Sequence, residues 1–343
     1  MATNIDSQAN DPASLAKAST EDRVESPSSV ALLNQPAGLW GLIVRFGELI
    51  RFSHTLFALP FAIFATVMSL AVPVEGQSSS GLFAWNRWLG ILLCMVFARS
   101  AAMAFNRWVD ADVDAGNPRT ATRHLPSGLL SRGQVIGFWA LMCLLFIASC
   151  VLFLPNRLPL ILSIPVLAFI CGYSLAKRFT SLCHLWLGAA LSLAPICAWI
   201  AMRGEVVQAN AVDLLPPVVL GLAVFCWVSG FDVIYALQDE KFDRDAGLFS
   251  MPAWLGTKRA LGLSKFLHAM MIGFLLLLGY AFPQLSLGPI YFVSVAVIAG
   301  LLIWEHSLAD PRNLLKLNIA FFQMNVAISV LLMIAGSIDT LWR

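Results

Sequence analysis

The 343-residue chain is 59% hydrophobic and only 12% charged, more apolar surface than one water-soluble core can hide. The formal net charge of +2 says little, because the charges are distributed so unevenly along the chain; no nucleic-acid partner is expected. Seven cysteines, none in a C-x-x-C pair, imply no disulfide framework and read as small packing residues of apolar segments.

Residues 1–37 are rich in Ser, Asp, Asn, Gln and Ala and show no apolar period, so they read as a disordered polar tail. The stretch Leu39 to Arg51 is amphipathic, with Arg45, Glu48 and Arg51 on one helical face, and suits the membrane interface. Apolar windows near 53–74, 88–107, 134–154, 158–176, 183–202, 214–236, 264–282, 287–306 and 314–336 are each long enough for a membrane span. The expected fold is all-α: one transmembrane domain over 38–343, a bundle of about nine helices around a central cavity. Most Lys and Arg residues fall before the first window and after the second, fourth, sixth and eighth. The opposite side has only Arg87, Arg157, Arg203 and Arg343, which predicts an inner-membrane protein with a cytoplasmic N-terminus.

Two acidic clusters follow the second and sixth windows and hold seven of the chain's twenty carboxylates. Like charges about 4 Å apart repel by about 4 kcal/mol at an effective dielectric near 20, so carboxylates that converge call for a counter-cation. In the first cluster Asn106, Asp110 and Asp114 recur every four residues, one helical turn apart if the preceding helix continues through them. Oxygen ligands so placed suit Mg²⁺, which takes its remaining ligands from water and substrate phosphates. Arg99 lies on nearly the same face inside the span, where a charge is expensive and by default faces a functional cavity.

The loop after the first cluster supplies Arg119 and Arg123, guanidiniums that grip phosphate through two nitrogens, and Lys177 follows the fourth window one turn beyond Tyr173. In the second cluster Asp232, Tyr235, Asp239 and Asp243 form another stripe at steps of three and four. Two stripes at the same end of a bundle can flank more than one Mg²⁺. Either cluster alone could equally be a solvated ion-pair network; two in phase on one side favour the metal. The chain has no G-x-x-x-x-G-K-[ST], which argues against a nucleotide donor.

The run Asn106-Arg-x-x-Asp110-x-x-x-Asp114, continuing to Arg119-Thr-x-x-Arg123-x-Leu-Pro-Ser-Gly128, resembles the first Asp-rich motif of the UbiA-type intramembrane prenyltransferases. Asp232-x-x-Tyr235-x-x-x-Asp239-x-x-x-Asp243 resembles their second motif, and Tyr173-x-x-x-Lys177 a third element. The resemblance runs from about residue 45 to the C-terminus, with one departure: Arg107 stands where many members carry Asp.

The resemblance implies transfer of a polyprenyl group from polyprenyl diphosphate to an aromatic acceptor. The wording around Ser53–Phe61 and Tyr235–Asp239 is closest to the 4-hydroxybenzoate branch of ubiquinone synthesis, with naphthoate prenylation in menaquinone synthesis as the alternative. Asp110, Asp114, Asp239 and Asp243 are the expected metal ligands, and Asn106, Arg119, Arg123, Tyr173, Lys177 and Tyr235 the expected diphosphate neighbours. Arg51 and Arg99 are candidates for an acceptor carboxylate and Asp232 for the ring proton or hydroxyl. His54 and His184 read as ordinary hydrogen-bonding residues near helix ends, and His268 and His306 show no metal-ligand spacing. A cation-coupled transporter is the competing class, but its ionisable groups would sit near the bilayer midplane rather than at the helix ends.

Overall fold

A computed structural model describes residues 38–50, 58–73, 85–309 and 323–342, apart from the side chain of Leu39. The polar tail, Arg51 and the start of the first window therefore lie outside the described residues. The chain divides into two units, residues 1–45 and 46–343. Helix α1, Gly38–Leu49, runs across that division.

Within residues 46–343, α2 (Leu59–Ala71), α3 (Trp85–Val109), α5 (Arg132–Cys150), α6 (Leu158–Ala176), α7 (Cys183–Ala209) and α8 (Leu215–Ala236) are apolar. So are α11 (Thr257–Ala281), α12 (Pro289–Leu308) and α13 (Asn325–Trp342). Eight of the described helices are long and apolar enough to cross a membrane, and α2, with 13 residues, is the shorter ninth. At about 1.5 Å per residue, α3 alone reaches about 37 Å, more than a hydrocarbon core is thick. The short helices α4 (Ala111–Gly116), α9 (Glu240–Asp245) and α10 (Met251–Leu255) lie between spans.

Local chemistry sets several boundaries. Ser131 caps α5: its Oγ accepts from Gln134 N at 3.2 Å while Gln134 Oε1 accepts from Ser131 N at 2.9 Å, a reciprocal capping box. Proline in the first turn starts α2, α6, α8 and α12, where its missing N–H would have no helical partner anyway. Helix α7 is kinked at Arg203 (φ −127°, ψ 26°) because Asn156 inserts there. Its Nδ2 donates to Ile200 O at 2.8 Å and Ala201 O at 3.2 Å, carbonyls that a straight helix would use itself.

Helix α8 packs against α7 and α11, α2 against α7 and α13, α3 against α5 and α6, and α12 against α13. Trp199, Trp227, Tyr291, Phe61 and Phe64 are fully buried among these faces. The α7–α8 contact depends on glycine. A Cβ on Gly188 would stand 2.1 Å from Ser229 Oγ and 2.7 Å from the Phe225 carbonyl oxygen. The outer surface displays Trp85, Ile161, Ile164, Val293 and Ile303, all exposed, as a protein with lipid for solvent requires.

Candidate active site

The first acidic stripe is built on a broken helix. Helix α3 ends at Val109, and Asp110 takes φ −86°, ψ 4° before α4 begins. That bridge conformation is common at turns and in active sites. Helical hydrogen bonds nevertheless continue across the break, from Asp110 N to Asn106 O (2.9 Å) and from Asp114 N to Asp110 O (2.7 Å). The condition set from sequence, that the helix continue through the stripe, is met by these hydrogen bonds but with a hinge at Asp110, and the four-residue phase survives it.

The second stripe repeats the device. Helix α8 ends at Ala236, a 3₁₀ turn covers Leu237–Asp239, and Asp239 (φ −102°, ψ 2°) precedes α9, which carries Asp243. The backbone then turns at Gly247 (φ 68°), a left-handed conformation that favours glycine. Beyond the turn, Phe249 N donates to the Lys177 carbonyl at 2.8 Å, tying this loop to the end of α6.

Each motif carboxylate faces a cation from another segment. Arg178 Nη1 lies 3.1 Å from Asp110 Oδ1, and Arg123 Nη1 lies 2.7 and 2.8 Å from the two Asp114 oxygens. Arg119 engages Asp239 through Nε (2.9 Å) and Nη2 (2.5 Å), and Lys177 Nζ lies 3.0 Å from both Asp243 oxygens. Asn106 Nδ2 donates to Asp110 Oδ2 at 2.8 Å, and Asn117 Nδ2 to Asp239 Oδ1 at 3.1 Å. Arg119 Nη1 also reaches Tyr235 Oη at 3.3 Å, with its guanidinium 5.6 Å from the ring centre. Asp112 pairs with Arg132 and Glu240 with Arg244, but neither acid lines the cavity.

These pairs are unevenly balanced. Burial holds the Asp110 carboxyl above the usual carboxylate range, and Arg178 offsets this only in part. Burial works against the charges of Lys177 and Arg119, yet Asp243 and Asp239 outweigh it and raise both above their ordinary values. Asp110 is the member of the constellation that a further cation would favour.

All of these groups line one cavity of about 420 Å³. Asn106, Asp110, Asp114, Arg119, Arg123, Tyr173, Lys177, Asp232, Tyr235, Asp239, Asp243 and Arg99, every described residue expected from the sequence, are among its lining. Its wall continues back along α3 to Ile91 and takes in Phe146, Phe153 and Ile170. From Asp110 to Ile91 is 19 residues, about 28 Å along a helix, so the chamber is ionic at one end and apolar along its depth.

Arg107 also lines the cavity; it is buried, and its Nη1 approaches Asn106 Oδ1 at 3.4 Å. Three roles went unassigned from sequence: Asn117 and Arg178 as partners of the acids, and His184 against Asp232. Arg178 was legible as the neighbour of Lys177. A histidine opening an apolar span, opposite a lone intramembrane Asp, was the available signal for His184. His268 and His306, outside the cavity, bond each other at 3.1 Å.

Among the described residues no three His, Cys, Asp or Glu side chains converge as a ready-made metal cluster. The donor set nonetheless fits Mg²⁺, since it is all carboxylate and amide oxygen, and that ion needs only one or two carboxylates when substrate phosphates complete its shell.

Apolar spans enclosing a buried ion-paired chamber define an integral, multi-pass helical membrane protein. The UbiA prenyltransferase family model matches residues 68–327, and the chain belongs to that family. It is 32% identical over 212 residues to the mitochondrial 4-hydroxybenzoate polyprenyltransferase of Arabidopsis thaliana, a match covering 62% of this chain but only 49% of that protein. A solved UbiA homologue from Aeropyrum pernix K1 superposes with a TM-score of 0.72 at 32% identity, covering 84% of this chain and 98% of the homologue. A UbiA homologue from Archaeoglobus fulgidus solved with DMAPP and Mg²⁺ shares the fold, with a TM-score of 0.57 at 18% identity over 86% of this chain and 99% of that one.

Proposed function

We propose that this protein transfers a polyprenyl group from its diphosphate to an aromatic acid, with 4-hydroxybenzoate as acceptor, in the making of a quinone precursor. The observation that carries the reading is one shared cavity, with its ionic end built from both acidic stripes and its apolar depth suited to an isoprenoid chain. The Arabidopsis relative's 4-hydroxybenzoate activity and the DMAPP and Mg²⁺ bound to the Archaeoglobus homologue support it.

The cations already at the site are the diphosphate's natural partners. Arg119, Arg123 and Lys177 would exchange their carboxylates for phosphate oxygens, which are at least as good acceptors for a guanidinium fork. The carboxylates thus released, Asp110, Asp114, Asp239 and Asp243, would hold Mg²⁺. When bound, the metal supplies neutralisation of the charge that grows on the departing diphosphate. The apolar wall keeps water from the allylic cation, which water would otherwise capture. Arg99, whose Nε has no hydrogen-bond partner among the described residues, would receive the acceptor's carboxylate. The excess of Lys and Arg on the acidic-loop side supports placing the ionic mouth in the cytoplasm.

Prenyl transfer to 4-hydroxybenzoate, measured in membranes with Mg²⁺ and then with excess EDTA, tests the reading. Turnover should require the metal; undiminished turnover in chelator would reject the metal assignment. Absence of any prenylated aromatic product with metal present would reject the function.

A further inference from the structure

His184 is 2% exposed, opens α7 and lines the cavity. Its Nδ1 lies 2.6 Å from Asp232 Oδ2, while its Nε2 is buried and has no hydrogen-bond partner among the described residues. Asp232 as a carboxylate can only accept, so Nδ1 carries the hydrogen and donates it. That fixes the ring's orientation and leaves Nε2 as its unpartnered nitrogen.

The arrangement is enforced by packing. Gly188, one turn after His184, lets α7 approach α8 until a Cβ would collide with Ser229 and Phe225, and Asp232 stands one turn further along α8. A buried polar atom without a partner costs about 1–3 kcal/mol, and because His184 is one of the residues lining the cavity, a polar group entering there is a candidate partner for it. Arg99 lines the same cavity, and its Nε is likewise buried with no hydrogen-bond partner among the described residues. One cation and one imidazole nitrogen together match the carboxylate and the hydroxyl of a single hydroxylated aromatic acid.

We propose that His184 Nε2 receives the ring hydroxyl of the acceptor and thereby selects hydroxylated over unhydroxylated aromatic acids, with Asp232 as the residue that positions the imidazole. The inference rests on the aromatic-acid reading above and adds to it the group that reads the hydroxyl. A site built to hydrogen-bond a substrate hydroxyl discriminates strongly against the analogue that lacks it, because the site's own polar atom is then stranded.

The test compares 4-hydroxybenzoate with benzoate, by equilibrium binding to the full chain in lipid nanodiscs and without turnover. In His184→Asn the amide nitrogen occupies the place of Nδ1 and keeps the bond to Asp232, but no atom remains at Nε2. In His184→Gln the amide reaches the place of Nε2. Wild type should bind 4-hydroxybenzoate at least about tenfold more tightly than benzoate. His184→Asn should bring that ratio close to one with prenyl diphosphate affinity unchanged, and His184→Gln should keep most of it. A wild-type ratio in His184→Asn, or equal ratios in the Asn and Gln variants, would overturn the role of His184 alone. If wild type binds prenyl diphosphate but neither aromatic acid, the acceptor reading itself falls and this inference falls with it.

Discussion

The guanidinium of Arg119 grips the carboxylate of Asp239 through two nitrogens, Nε to Oδ1 at 2.9 Å and Nη2 to Oδ2 at 2.5 Å. The two residues are 120 positions apart, one in the loop after the first acidic stripe and the other at the hinge of the second. Their bond puts both stripes on one cavity. Asp239→Asn keeps the shape but not the charge and should lower turnover by about a hundredfold to a thousandfold, because it weakens the hold on the metal proposed to neutralise the departing diphosphate. Arg119→Lys keeps the charge but not the fork, and should raise KM for the prenyl diphosphate about tenfold or more while moving acceptor KM little. Steady-state kinetics with each substrate varied in turn would show whether the two losses divide this way.

The buried charge of Asp110 is compensated only in part by Arg178. Its folded-state carboxyl titrates above the ordinary 3.8 because of burial, so between those two values the folded protein binds more protons than the unfolded chain. Stability therefore falls as pH rises through that window, and the cost of the ionised carboxylate persists at neutral pH. Asp110→Asn removes it, and Arg178 keeps its bonds to the Ser174 and Val109 carbonyls. Melting curves should show the variant at least as stable as wild type without metal. Mg²⁺ should then raise the melting temperature of wild type by more than that of the variant.

Lys177 behaves oppositely. Its pKa is raised above 10.5, mainly by Asp243 acting against burial, so its contribution is complete below 10.5 and is lost only as pH rises through the folded value. Lys177→Met strands Asp243, which is 1% exposed, and should cost about 2 kcal/mol or more. The difference in stability from wild type should shrink in strong alkali, where Lys177 itself loses its proton.

The α7–α8 contact can be tested by steric means. Gly188→Val should destabilise the protein by about 1–3 kcal/mol or more, since overpacking strains a close-packed face. Adding Ser229→Ala should not restore stability, because the Phe225 carbonyl oxygen, 2.7 Å from the added Cβ, belongs to the backbone and cannot rotate away. Full recovery in the double variant would show that the hydroxyl alone sets the limit.

Arg107 brings a buried cation to the lining of the cavity, three residues before Asp110. Arg107→Asp removes one positive charge beside Asp110 and adds an oxygen ligand, so the Mg²⁺ concentration for half-maximal turnover should fall about tenfold. An unchanged metal requirement would place Arg107 outside the metal's reach.

Much of this protein was legible as a string of letters. Apolar windows and flanking charges mark out the spans because a bilayer demands about 20 consecutive apolar residues for each. Asn106, Asp110 and Asp114, like Asp232, Tyr235, Asp239 and Asp243, share a face because helical periodicity is local. Local periodicity, however, carries no information about partners a hundred residues away. Only the packed bundle pairs Asp239 with Arg119, Asp243 with Lys177 and Asp110 with Arg178, since these contacts depend on how close the helices come. The same holds for His184. Its place at the head of an apolar span reads as ordinary, and it meets Asp232 only because glycine at 188 removes the side chain that would keep the two helices apart.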